Sequence, residues 1–375
     1  MKIAVLGSGM VGRTLAIDLV AQHDVTSFDA SEYALELLKS KSTAVKTLKA
    51  DLSAYSAYKQ LLEPFDLIVT AVPGFIGYNT LEAVIEAGKN VIDISFFPED
   101  ALQLNSLAKK KNVTAIVDCG VAPGVSNLII GRYNKIMKIE SFECYVGGLP
   151  KIRKKPFEYK APFSPIDVIE EYTRPARLKE NGQMVIKPAL SEIELMDFDE
   201  VGTLEAFNTD GLRSILFTMA HIPNLKEKTL RYPGHADLMI VLQKGGFFSN
   251  ESIRFKQAEI IPLEYTSAVL IKEWKLQPSE EEFTVMKVIV KGNMNNTPKT
   301  IEYTMLDRFD VGTQTSSMSR TTGYTCTAMV NAFAEGLFNE IGVFPPELVG
   351  NNENCFNYIL DYLKQRNVNW IKKEY

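Results

Sequence analysis

Histidine and cysteine are scarce in this chain: three and four respectively among 375 residues. Cys119, Cys144, Cys326 and Cys355 are scattered without the close pairing of zinc ligands, and no histidine stands beside one, so metal catalysis is not expected. Unclustered cysteines also fit a reducing, cytoplasmic compartment. No apolar run approaches the roughly 18 residues of a membrane span. The first residues enter directly into a core strand, so no signal peptide is expected either. An excess of positive charge is missing: the net charge is −5, which leaves no electrostatic footprint for nucleic acid and no polybasic membrane patch. Lys151 to Lys155 is a short basic cluster of the kind found in solvated loops. Repeats and low-complexity tracts are absent. The composition is 46% hydrophobic and 23% charged, and the length gives room for two or three domains around a sizeable core.

The first dozen residues organise the rest. Lys2 to Leu6 is a short apolar run of the kind that forms a doubly buried strand. Gly7, Gly9 and Gly12 follow at G-x-G-x-x-G spacing, and Met10, Val11 and the residues to Val20 carry helical periodicity. This is a dinucleotide-binding turn: the glycines permit a tight turn, close approach of a pyrophosphate, and close packing of helix on strand. The helix N-terminus adds unpaired N–H groups and a positive dipole end. Asp29, at the end of the next apolar segment, lies about 20 residues beyond the glycines, where a carboxylate grips a ribose 2′-OH. Ala30, Ser31 and Glu32 supply no arginine for a 2′-phosphate, so NAD is favoured over NADP. The competing role for Asp29 is to cap the helix that follows.

Strand–helix alternation continues through Ala44–Lys49, Asp66–Pro73, Asn90–Ile94 and Val113–Asp118, giving six parallel strands. This predicts an α/β fold, a Rossmann doubly wound parallel sheet, with ligands outside the carboxyl ends of the strands. Asp51, Val72 and Pro73 are therefore assigned to cofactor binding, and Asp93 and Asp118 become candidates for proton transfer. Beyond about residue 122 the pattern changes. Strand-like runs at Ser141–Val146, Ala236–Leu242, Glu259–Pro262 and Phe283–Lys291 predict an antiparallel sheet in an α+β domain over 123–317, for substrate binding and dimerisation. Residues from about 318 to 375 are expected to return to the domain formed by 1–122.

Several patches in the second domain are too polar and backbone-dense for simple packing. They are Tyr145–Pro150, Tyr159-Lys160, Phe163-Ser164-Pro165, Glu171-Tyr172, Glu205–Arg213 and Lys228–His235. Together they offer Arg231, His235, Lys160, Asn208 and Asp210, the groups a site needs to clamp an amino acid's carboxylate and ammonium. In these stretches, and in Val117-Asp-Cys-Gly-Val-Ala-Pro-Gly-Val-Ser-Asn127 and Arg320-Thr-Thr-Gly323, the chain resembles the saccharopine dehydrogenase superfamily over essentially its whole length. Within that superfamily it is most similar to the lysine 6-dehydrogenases.

The resemblance implies a homodimeric, NAD-dependent enzyme acting on an amino-acid substrate, with Gly124 in the substrate loop. It also implies oxidation of lysine at its ε-carbon to a semialdehyde that cyclises, with release of ammonia. Departures from the saccharopine reductase pattern fall at Val121–Asn127 and Asn208–Gly211, where two carboxylates and an arginine of that pattern are missing, which disfavours a substrate with an extra glutamate arm. Within the resemblance Arg231 is assigned to the α-carboxylate and His235 to proton transfer, with Asp118 and Asp93 as alternatives. The competing readings are a saccharopine or carboxynorspermidine dehydrogenase, with Lys160 and Arg213 as extra cationic contacts, and a non-catalytic NAD-binding protein.

Overall fold

The computed structural model describes residues 1–162 and 165–375; Phe163 and Ser164 lie outside the described residues. The first half alternates β1 (Lys2–Leu6), α1 (Met10–Leu19), β2 (Asp24–Asp29), α2 (Glu32–Lys41), β3 (Lys46–Lys49), α3 (Tyr58–Leu61), β4 (Leu67–Thr70), α4 (Gly74–Glu86), β5 (Asn90–Asp93), α5 (Asn105–Lys111) and β6 (Thr114–Ile116). A buried helix α6 (Val125–Asn134) leads to the long β7 (Lys138–Pro150). Then come α7 (Pro165–Thr173), β8 (Ala176–Glu180), β9 (Gln183–Lys187), β10 (Glu194–Phe198), β11 (Gly202–Asn208), α8 (Ile215–Thr218) and β12 (Asn224–Arg231). The next elements are α9 (His235–Lys244), β13 (Ile253–Phe255), β14 (Ala258–Ile260), α10 (Pro262–Trp274), β15 (Glu282–Met294) and β16 (Thr297–Arg308). The chain ends with α11 (Ser317–Ala334), β17 (Gly342–Phe344), α12 (Pro346–Gly350), α13 (Glu353–Gln365) and β18 (Trp370–Glu374).

The parallel sheet runs β17-β6-β5-β4-β1-β2-β3, so the strand order reverses between β1 and β4, the place where such sheets open a crevice. Its central strands are buried on both faces, as their unbroken Ile, Val and Leu runs require. The sheet has a seventh strand that the sequence did not announce. β17 is only three residues long and pairs with β6, carried there by α11, which packs along α1.

The second sheet is mixed rather than antiparallel. β12 lies parallel to β7, while β15 and β16 form a long antiparallel hairpin against the other side of β7. β18 completes its far edge against β16, so the last residues of the 318–375 stretch join this sheet and not the first. Ala236–Leu242 is not a strand but the body of α9. Its first turn is fixed by Glu205, whose two carboxylate oxygens accept the Gly234 and Ala236 N–H groups at 2.8 and 2.5 Å. A run of Ala, Leu, Met, Ile and Val has no period of its own to oppose that anchor.

Candidate active site between the two sheets

A cleft of about 1520 Å³ opens at the strand reversal and extends to the face of the second sheet. Its first half is the glycine turn. Gly7, Gly9, Met10, Val11, Gly12, Asp29, Asp51, Val72 and Pro73 all line it. A Cβ on Gly12 would collide with the Gly7 carbonyl, so glycine is required there for helix and turn to close. At Gly9 a Cβ would meet nothing within 4 Å, because that position faces the open cleft. The first turn of α1 has no side-chain cap, and its N–H groups point into this space. Asp29 holds the rim, accepting the Ser8 and Ser31 N–H groups at 2.7 Å each. The capping of α2 falls instead to Ser31, whose hydroxyl accepts the Ala34 N–H. A glycine cradle, an uncapped helix N-terminus and a rim carboxylate fit a nicotinamide dinucleotide. Arg13 and Lys41 line the same cleft along α1 and α2, two cations outside the Ala30–Glu32 stretch that follows Asp29.

The second half is built on β12, whose alternate residues Glu227, Thr229 and Arg231 share one face. Thr229 and Arg231 reach the cleft, as do Gly147 and Gly148 of β7. The Arg231 guanidinium is 2% exposed and bonds in several directions. Nε donates to Tyr172 Oη at 3.1 Å, and one terminal nitrogen donates to Glu171 at 2.6 Å. The plane of the group lies 4.4 Å over the Tyr159 ring. Glu171 also lines the cleft. Burial pushes its carboxyl up from the usual range, and the neighbouring Arg231 pulls it back only in part. Arg231 and Glu171 thus face the cavity as one ion pair, a cation and an anion side by side in its wall. Glu171 stands in one of the patches that the sequence marked, but its pairing with a residue sixty positions on had no local signal.

Of the other assigned residues, only Asp118 reaches the cavity. His235 is 3% exposed and sits behind Tyr172: Nε2 accepts the Tyr172 hydroxyl at 3.0 Å, and Nδ1 donates to the Phe157 carbonyl at 2.9 Å. Burial, reinforced by the Arg231 charge, pushes its pKa down to about 3. A histidine held neutral in this way orients the tyrosine that orients Arg231, and it is in no position to take a substrate proton. Lys160 points away and donates to the Glu273 carbonyl. Asn208 lies on the opposite face of the sheet, bonded to Ser191 and Glu192. Asp210 is neutralised by Arg177, which donates to both of its oxygens at 2.9 and 2.8 Å. Gly124 precedes α6 and is folded against Gly120, outside the cavity wall.

Asp93 is fully buried beneath the cleft floor, with one oxygen bonded to Thr70 and Ser95 and its pKa pushed up by burial to about 7. Asp118 does line the cleft, but Arg213 engages both its oxygens, at 3.0 and 3.2 Å. Arg213 also bonds the Phe97 carbonyl. It thus ties the second domain to the first and is not available as a substrate contact.

The burial of His235 has a measurable consequence. Its folded pKa is depressed from 6.5 to about 3, so the unfolded chain takes up a proton that the folded one refuses. Stability present above that ordinary value is lost as pH falls below it, at about 1.4 kcal/mol per pH unit. Denaturant unfolding between pH 7 and 5 should show this slope, and His235→Gln should flatten it. An unchanged slope in the variant would remove His235 as its source.

Residues 3–116 match the model of the saccharopine dehydrogenase NADP binding domain, and residues 120–368 that of the saccharopine dehydrogenase C-terminal domain. The alpha-aminoadipic semialdehyde synthase of Arabidopsis thaliana is 25% identical over 223 residues, which are 56% of this chain and 21% of that protein. This chain therefore spans about a fifth of that relative's length. A carboxyaminopropylagmatine dehydrogenase from Synechocystis is 23% identical over 92% of both chains. Among solved structures, the saccharopine dehydrogenase (L-Glu forming) of Saccharomyces cerevisiae superposes with a TM-score of 0.80 at 19% identity, covering 100% of this chain and 99% of that one, and so shares the fold. With one domain model matching residues 3–116 and the other residues 120–368, the chain belongs to the saccharopine dehydrogenase family.

Proposed function

We infer that the protein oxidises L-lysine at its ε-carbon, with NAD as acceptor, to the 6-semialdehyde and ammonia. The observation that carries this reading is the Arg231–Glu171 pair in the cleft wall. Arg231 receives the α-carboxylate through its planar fork, Glu171 receives the α-ammonium, and the four-carbon side chain runs from them toward the glycine turn. Tyr159, Tyr172 and His235 hold the guanidinium in place and exclude water from it. Gly7 to Gly12, Asp29, Asp51, Val72 and Pro73 would hold the dinucleotide, which supplies a hydride acceptor when bound. Asp29 supports NAD, because a carboxylate that binds ribose hydroxyls repels a 2′-phosphate.

Two observations favour variants of this reading. Lys275 stands exposed on the cleft rim, where it could meet the extra carboxylate of a secondary-amine substrate such as saccharopine or a carboxy-polyamine. Arg13 and Lys41 are cations that a 2′-phosphate would use, and the matching domain family is described by NADP. Initial rates with L-lysine, cadaverine, saccharopine and a carboxy-polyamine, each with NAD and with NADP, test the proposal. Lysine with NAD is expected to be the fastest pair, and cadaverine, which lacks the zwitterionic end, to be slow. Turnover of saccharopine or the carboxy-polyamine without turnover of lysine would overturn the substrate assignment. A strong NADP preference would overturn the role of Asp29.

A further inference from the structure

An ammonium carries no lone pair with which to expel hydride from its carbon, so the amine must first lose a proton whose ordinary pKa is about 10.4. Neither the histidine nor the two strand-end aspartates offers a free acceptor at the cavity wall. A different path does reach it. Thr229 lines the cleft beside Arg231, and its hydroxyl lies 2.9 Å from that of Thr209. Thr209 in turn donates to Glu227 at 2.7 Å. The Gly211 N–H donates to the same carboxylate oxygen at 3.1 Å. Because the Thr209 proton is committed to Glu227, the bond between the threonines must run from Thr229 to Thr209. The Thr229 oxygen is then left with lone pairs to accept a proton from the cavity.

Resting on the reading of the site as an amine oxidase, we propose that Glu227 is the proton acceptor for the substrate ammonium, acting through the Thr229–Thr209 relay. In this step a substrate N–H bond breaks and an O–H bond forms on Thr229. Thr229 passes its own proton to Thr209, which passes its own to the Glu227 carboxylate. The amine is left neutral, no carbon bond changes, and no further reactant is consumed. Burial pushes the Glu227 carboxyl up to about 8, with Glu171 of α7 and Asp210 after β11 as the anions that face it. The Cys144 thiol of β7 is a further titratable neighbour. That value gives the acceptor enough basicity to compete for an ammonium proton, and above it the relay is charged and ready.

At saturating amine, kcat is expected to rise with pH through about 8 and then level off. Glu227→Gln should lower the plateau by about a hundredfold, the order expected for loss of one acid–base group, and should abolish the inflection while leaving KM little changed. Thr229→Val and Thr209→Val should do the same, and Thr229→Ser and Thr209→Ser should restore it. A Glu227 that only braces the sheet would lower the melting temperature and leave the inflection in place, which would overturn the relay. The profile is run with whichever amine the wild type oxidises, so a failure of lysine alone sinks the substrate assignment and not the relay. An infrared pH titration of the protein without substrate gives a second readout. The protonated-carboxyl band that vanishes across about pH 8 should be weaker by one carboxyl in Glu227→Gln, Glu282 supplying the part that remains. A spectrum identical in the two proteins would overturn the proposal.

Discussion

Replacing Arg231 by alanine should reduce kcat/KM for the amino-acid substrate about a thousandfold while leaving dinucleotide affinity near wild type. The magnitude follows from the surroundings. The guanidinium is buried and bonded to a partly exposed carboxylate, and truncating one member of such a pair costs about 2–5 kcal/mol, of which each 1.4 kcal/mol is tenfold. The effect should appear mainly in KM, because the α-carboxylate is held alike in ground and transition states. Arg231→Lys should recover only part of the loss, since an ammonium cannot span Glu171, Tyr172 and a substrate carboxylate with one planar fork. Equal losses with lysine and with cadaverine would contradict the role, because only lysine presents a carboxylate to be lost. The steady-state constants of the two variants with both amines decide the matter.

The second large effect separates two glycines three residues apart. Gly9→Val should fold normally yet lose about a hundredfold or more in dinucleotide affinity. Its Cβ points into open cleft, so the folded protein has no clash to relieve, but the side chain fills the path of the pyrophosphate. Two charge-assisted hydrogen bonds from the helix N-terminus are then lost, at about 1.5–3 kcal/mol each. Gly12→Val should instead destabilise the fold by about 3 kcal/mol, because backbone on the far side of the turn cannot give way. Thermal unfolding and cofactor titration of both variants distinguish a cradle from a merely tight turn. Equal destabilisation of the two would contradict the assignment.

The parallel sheet and its cofactor turn were legible in the sequence because their signals are local. Each strand is a short apolar run, each glycine has its neighbour within a turn, and Asp29 lies at the end of the very next strand. The three-residue strand β17 had too little sequence to announce itself, and β18, Trp-Ile-Lys-Lys-Glu, has no buried face to pattern. In the second domain the information is non-local. α9 is helical because Glu205, thirty residues earlier, caps it. His235 looked like a proton carrier from its ordinary pKa. It is disabled by Tyr159, Tyr172 and Trp274, which the segment after β7, α7 and α10 bring around it. Arg231 was identifiable by residue type, but its partner Glu171 was not. A strand reading of β12 would have put Glu227, Thr229 and Arg231 on one face, and that alternation was the signal left unused.

If Arg231 and Glu171 hold the α-end of lysine, hydride leaves from the ε-carbon. This is tested most directly with lysine deuterated at the ε-carbon or at the α-carbon, followed by mass analysis of the reduced cofactor. Deuterium is expected in the cofactor, with a primary isotope effect on kcat/KM, from the ε-labelled substrate and none from the α-labelled one. Transfer from the α-carbon, or no transfer from either, would contradict this.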